Sequence, residues 1–123
     1  MTRRVVLVVG PPGAGKSTYA GACGLRHLER EQFASDADFQ AEAERLADDP
    51  DAQLVVVRTC VTRAEEHVWR AKLGVTEVVM LQGGGPEVCA ARCVERGRAS
   101  LPDELAGIDR WFSARGRVSS GTW

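Results

Sequence analysis

Residues 9–18 read VGPPGAGKST, with three glycines, two prolines and one lysine in ten positions. A packed core has no use for that mixture, so the stretch points to a shaped loop. Before it stands RRVVLVV, whose apolar, β-branched run reads as a strand buried on both faces, Arg4–Val9. After it, STYAGACGL winds a short helix over about Lys16–Cys23, stopped by Gly24. The loop therefore joins a buried strand to a helix N-terminus. Its spacing of Gly10, four residues, then Gly15-Lys16-Ser17 fits G-x-x-x-x-G-K-[ST]. Glycines permit backbone angles that side chains forbid, so several N–H groups can converge on phosphate oxygens. The following helix adds free N–H groups and its positive dipole end. Gly10, Pro11, Pro12, Gly13, Ala14, Gly15, Lys16, Ser17 and Thr18 are the candidate nucleotide-binding residues. In such a motif the lysine reaches the β- and γ-phosphates and the serine hydroxyl ligates Mg²⁺, roles that fall to Lys16 and Ser17.

The rest of the chain alternates strands and helices. A second strand is expected over Arg26–Glu31 and a helix over Asp36–Ala47, with Ser35 as its cap and Phe39, Ala43 and Leu46 on one face. QLVVVRTC gives a third strand, Gln53–Cys60. Thr62 to Glu65 reads as a capping box that opens a third helix, ending at Gly74. A fourth strand spans Thr76–Leu81, and Gly83–Gly85 break it. A fourth helix runs from Pro86 to Arg96, and a fifth starts near Pro102, burying Leu105, Ile108, Trp111 and Phe112. This alternation implies a parallel sheet with helices on both faces and a ligand site at the carboxyl ends of the strands.

The loop in this setting resembles the P-loop NTPases. GPPGAGKST followed by a short chain is similar to the small P-loop kinases, including polynucleotide-kinase-like and nucleotide- or shikimate-kinase-like proteins. The resemblance covers about Arg4 to Arg98. It implies an α/β three-layer sandwich with the P-loop NTPase fold. The family's strand order is 2-3-1-4-5; this chain offers four strands, hence 2-3-1-4. The unfilled fifth position puts the family's usual adenine pocket in question. ATP or GTP with Mg²⁺ is the implied cofactor.

Residues just past each strand carry the remaining candidates. After the second strand comes HLEREQFASDADF. The resembling kinases place there a carboxylate that takes the acceptor's proton or orients it. Glu29 and Glu31 would share one face of an extended strand, roughly 6–7 Å apart. Asp36 is the other candidate. Its distance from Lys16 is closer to the polynucleotide-kinase-like pattern, but Phe39 stands where that pattern carries arginine. Asp36 and Asp38 also suit a helix's first turn on dipole grounds alone. At the end of the third strand the family usually carries a Mg²⁺-supporting aspartate; this chain has Arg58. Arg58 either contacts a phosphate or anionic acceptor, or pairs with Glu29 or Glu31 across adjacent strands. Without that aspartate, Mg²⁺ would rest on Ser17, water and a glutamate of the second strand. In PEVCAARCVERGRAS, Arg92 and Arg96 lie one helical turn apart, and Arg98 follows; the resemblance makes them lid arginines.

Composition narrows the field. At 123 residues one domain, residues 1–123, is expected. A net charge of −1 gives no general pull toward nucleic acid or acidic membrane. Lys16 and Lys72 are the only lysines, so Lys16 stands out. Cys23, Cys60, Cys89 and Cys93 follow no secreted disulfide pattern and read as buried thiols. No signal peptide or membrane-length apolar run is visible, so a cytoplasmic setting and no membrane partner are expected. His27 and His67 are unpaired by spacing, and the tail GRVSSGTW reads as a fraying end.

Two functions lead from sequence, ahead of a plain NTPase driving mechanical work, for which the chain is short. The first is ATP/Mg²⁺-dependent phosphoryl transfer to a small hydroxyl acceptor or a nucleic-acid 5′-hydroxyl. Lys16 would hold phosphates, Glu31 or Asp36 would position the acceptor, and Arg92 and Arg96 would neutralise developing charge. The alternative is a catalytically weak nucleotide-binding module acting with a protein partner, favoured by Arg58 and by the unfilled fifth strand.

Overall fold

The strand β1 (Arg4–Val9) is the spine of the molecule, and Val5 through Val9 are fully buried. In the computed structural model, which describes residues 2–115, β1 lies between two parallel neighbours. On one side β3 (Gln53–Arg58) pairs in the register Arg4↔Gln53 to Val9↔Arg58. On the other, β4 (Glu77–Met80) pairs Val6↔Glu77 to Val9↔Met80. The short β2 (Arg26–Leu28) adds to the outer side of β3, giving the order β2-β3-β1-β4. The four-stranded parallel α/β arrangement expected from sequence is therefore present.

Alternation along the strands sends side chains to two cores. Val5, Leu7, Val9, Leu54 and Val56 meet α2 (Asp36–Ala47), α3 (Arg63–Leu73), α4 (Pro86–Arg96) and α5 (Leu101–Ala114). Val6, Val8, Val55 and Val57 meet α1 (Lys16–Ala22) through Ala20 and Tyr19. Helices thus cover both faces, because each buried strand has two apolar sides to satisfy.

Local signals fix the helix ends. Ser35 caps α2 by accepting from the Asp38 amide at 3.1 Å, and Thr62 caps α3 by accepting from the Glu65 amide at 3.1 Å. Gly74 and Gly97 close α3 and α4 in the left-handed region, at φ 60° and 63°. Arg3 ties two helix ends to the sheet's other rim: its guanidinium donates to the carbonyls of Ala47, Asp49, Leu73 and Gly74.

Two boundaries differ from the sequence expectation. The second strand stops at Leu28 and does not reach Glu31. Glu29 remains extended but caps a single 3₁₀ turn, Arg30–Gln32, and the Gln32 amide donates to its carbonyl at 3.0 Å. The two glutamates therefore do not share a strand face. The third strand stops at Arg58, because Cys60 adopts φ 45° and turns the chain toward α3. The tail GRVSSGTW lies outside the described residues.

Trp111 and Phe112 pack in the core edge to face, with ring centroids 5.1 Å apart. Cys60, Cys89 and Cys93 are buried free thiols, and Cys23 is half-buried. Among the described residues, no helix is long and apolar enough to cross a membrane.

Candidate functional site

Each glycine of the first loop answers to a close contact or a turn. A Cβ on Gly10 would sit 2.4 Å from the Leu81 carbonyl oxygen, so only glycine lets the loop pass the end of β4. Gly13 has φ 79°, and a Cβ there would meet the Cys89 carbonyl oxygen at 2.4 Å. Gly15, at φ 90°, turns the chain into α1.

Lys16 folds back over this loop. Its Nζ donates to the carbonyls of Gly10 at 2.8 Å and Pro11 at 2.7 Å. Burial pulls its ammonium down to about 8; Glu31 opposes that shift and Arg96 adds to it. The ammonium is thus stripped of much of its water and held at the loop by two carbonyls.

The loop floors a cavity of about 320 Å³. Pro12 to Thr18 form one wall and the 3₁₀ turn, the end of β3 and the α4–α5 junction form the others. Five basic side chains line it (Lys16, Arg30, Arg58, Arg96, Arg98), against three acidic ones (Glu29, Glu31, Glu104). Such a lining suits a polyphosphate better than a neutral ligand.

Ser17 Oγ donates to Glu29 Oε1 in a short hydrogen bond. Glu29 Oε2 in turn lies 3.5 Å from His27 Nε2. A hydroxyl and a carboxylate together are hard oxygen donors, and Mg²⁺ takes one or two such protein ligands beside phosphate and water. The donor pair fits that ion. Glu31, the other glutamate of the turn, also lines the cavity.

Arg58 occupies the end of β3, and its partner is Asp36 rather than either glutamate: Nη1 to Oδ1 is 2.7 Å. Its guanidinium also stacks between Trp69 and Phe39, 4.7 and 5.1 Å from the ring centroids. Asp36 takes a second bond from Gln40 Nε2 at 2.6 Å, and Arg30 lies 3.9 Å away. The Arg58 bond first, and Gln40 second, hold its carboxyl below the usual carboxylate range. An acid so held keeps its negative charge and is a weak proton acceptor. Asp36 is not part of the cavity lining.

The three arginines of the fourth helix and its exit separate in space. Arg92 Nη1 donates to the Gly13 carbonyl at 3.1 Å, bracing the loop from behind, and does not line the cavity. Arg96 and Arg98 do line it, and both approach Glu104 of α5. Sequence reasoning missed Glu104; the only available signal was an acid in the first turn of a helix that closely follows Arg96 and Arg98.

No family model matches this chain, and no curated protein matches it. Solved structures do. The chain is similar to an unliganded sugar kinase from Janibacter sp. HTCC2649, at 25% identity and TM-score 0.60, over 86% of this chain and 78% of that one. It is also similar to a gluconokinase from Sinorhizobium meliloti 1021, at 20% identity and TM-score 0.57, over 97% of this chain and 95% of that one. The likeness shows a P-loop kinase-type fold. The first of these neighbours is a sugar kinase, which supports a phosphotransferase.

Proposed function

We propose that this chain transfers a phosphoryl group from MgATP or MgGTP to a small hydroxyl acceptor. The observation that carries the reading is the juxtaposition of three groups on one cavity: the glycine loop, the buried Lys16 ammonium and the Ser17–Glu29 pair. The loop amides and Lys16 hold the phosphates. Ser17 and Glu29 hold Mg²⁺, which neutralises phosphate charge when bound. Arg96 and Arg98 approach the transferring group from the α4–α5 side. Arg92 contributes by bracing Gly13. Phosphoryl transfer depends mainly on positioning and electrostatics, so this set is chemically sufficient.

The acceptor enters from the side of the 3₁₀ turn. Glu31 faces the cavity there and orients the hydroxyl; Asp36 instead fixes Arg58. Gluconate and neutral sugars head the acceptor list because the structural neighbours are named for such substrates. A nucleic-acid 5′-hydroxyl is the further acceptor class to compare.

Transfer of γ-labelled phosphate from ATP to gluconate, a set of sugars and a 5′-hydroxyl oligonucleotide tests the reading, with Glu31→Gln as the control. A labelled acceptor product that the variant fails to make supports it. Nucleotide binding without transfer to any acceptor supports the second reading, a catalytically weak nucleotide-binding module acting with a protein partner. The Arg58–Asp36 pair, standing where a metal-supporting carboxylate is usual, favours that reading.

A further inference from the structure

Glu104 lies in the first turn of α5 and its side chain lines the phosphate cavity. Only 11% of that side chain is exposed. Oε2 accepts from Arg96 Nη2 at 2.9 Å and lies 3.9 Å from Arg98 Nη1. Oε1 is buried with no hydrogen-bond partner among the described residues. A carboxylate with one orphan oxygen is costly to bury, and ion pairs to half-exposed arginines offset little of that cost. Core packing does not explain why an acid stands at the mouth of a phosphate cavity.

The two sides of this contact differ in freedom. Helix α5 is anchored: Trp111 Nε1 donates to the Thr59 carbonyl at 2.8 Å, and Arg115 Nη2 to the Cys60 carbonyl at 2.6 Å. Gly107 packs on Pro12, where a Cβ would lie 3.3 Å from Cγ. Glu104 therefore rides on a helix fixed to the loop and to the end of β3. The arginines are the looser partners, with side chains 38% and 55% exposed at the exit of α4. A guanidinium fork binds a carboxylate or a phosphate with the same donors.

We propose that Glu104 is a placeholder for polyphosphate. It holds Arg96 and Arg98 at the cavity mouth and gives them up when phosphates arrive. The proposal rests on the nucleotide-binding reading above. Its cost to the ligand is twofold: the carboxylate repels the phosphates and occupies their arginines. Glu104→Gln keeps the shape and removes the charge.

The test is calorimetric titration of MgATP, and separately of inorganic tripolyphosphate, into the full chain. Four proteins are compared: wild type, Glu104→Gln, Arg96→Ala/Arg98→Ala and the triple variant, with thermal midpoints recorded for each. Glu104→Gln is expected to bind both probes about fivefold more tightly, a gain that shrinks in the triple variant measured against the double arginine variant. Wild-type binding with equal or weaker binding by Glu104→Gln overturns the placeholder and leaves the nucleotide reading standing. A gain of the same size in the triple variant, measured against the double arginine variant, also overturns it, because the arginines would then play no part. A lowered midpoint with weaker binding marks Glu104 as a structural clasp and overturns it too. If no protein binds either probe, the nucleotide reading fails and takes the placeholder with it.

Discussion

MgATP should bind this chain about tenfold more weakly at pH 9 than at pH 7, because of Lys16. Burial holds the Lys16 ammonium at about 8, against an ordinary value of 10.5. The two carbonyls it bonds do not replace the water it has lost. A bound polyphosphate supplies the missing negative charge and returns the ammonium toward its ordinary range. Between those two values the complex holds more proton than the free protein. Binding there takes up a proton, so affinity falls as pH rises. The free ammonium is roughly nine-tenths protonated at pH 7 and roughly one-tenth at pH 9, which yields the tenfold loss, about 1.4 kcal/mol. Below pH 7 this contribution is flat. Arginines keep their charge throughout, and burial pushes the Cys60 thiol up to about 11, outside the window. Calorimetry at pH 7, 8 and 9, in two buffers of different ionisation heat, gives both affinity and proton count. An affinity that stays flat to pH 9 with no proton uptake would refute the reasoning.

Two further outcomes test the surroundings of the loop. Gly10→Ala forces a Cβ to within 2.4 Å of the Leu81 carbonyl oxygen, in a segment pinned by the Leu81 amide bond to Val9 at 2.8 Å. It should lower stability by about 2 kcal/mol, seen as a reduced urea midpoint; an unchanged midpoint contradicts this close approach. Iodoacetamide should modify Cys23 first, since Cys60, Cys89 and Cys93 are buried. Burial also raises the Cys60 and Cys89 thiols, which slows them further. Peptide mapping that finds Cys89 or Cys93 labelled before denaturation contradicts the packing of α4 under the loop.

What was legible in the sequence was what depends on local rules. The loop declared itself because each of its residues answers to backbone geometry. The α2, α3 and α4 boundaries followed from Ser35, Thr62, Gly74, Pro86 and Gly97. The second strand was read too long because RHLERE alternates like a strand, while the 3₁₀ turn that ends it depends on Glu29 and Gln32 closing on each other. Contacts made through space were not legible. Arg58 sits between Trp69 and Phe39 and reaches Asp36, 22 residues earlier in the chain; only the packing of α2 and α3 against β3 brings these together. Arg92 and Arg96 share a helix face, yet one braces the Gly13 carbonyl and the other meets Glu104. Helical periodicity gives a direction and does not say what a long arginine side chain will find there.

The most direct measurement is titration of MgATP and MgGTP into wild type and Lys16→Ala, each checked for an unchanged fold by circular dichroism. Wild type is expected to bind at least one nucleotide, and the alanine variant to bind about tenfold to a hundredfold more weakly, the worth of one charge-assisted contact to phosphate. Wild type that binds neither nucleotide, or a variant that binds as tightly as wild type, would contradict the claim that this loop and its lysine hold phosphates.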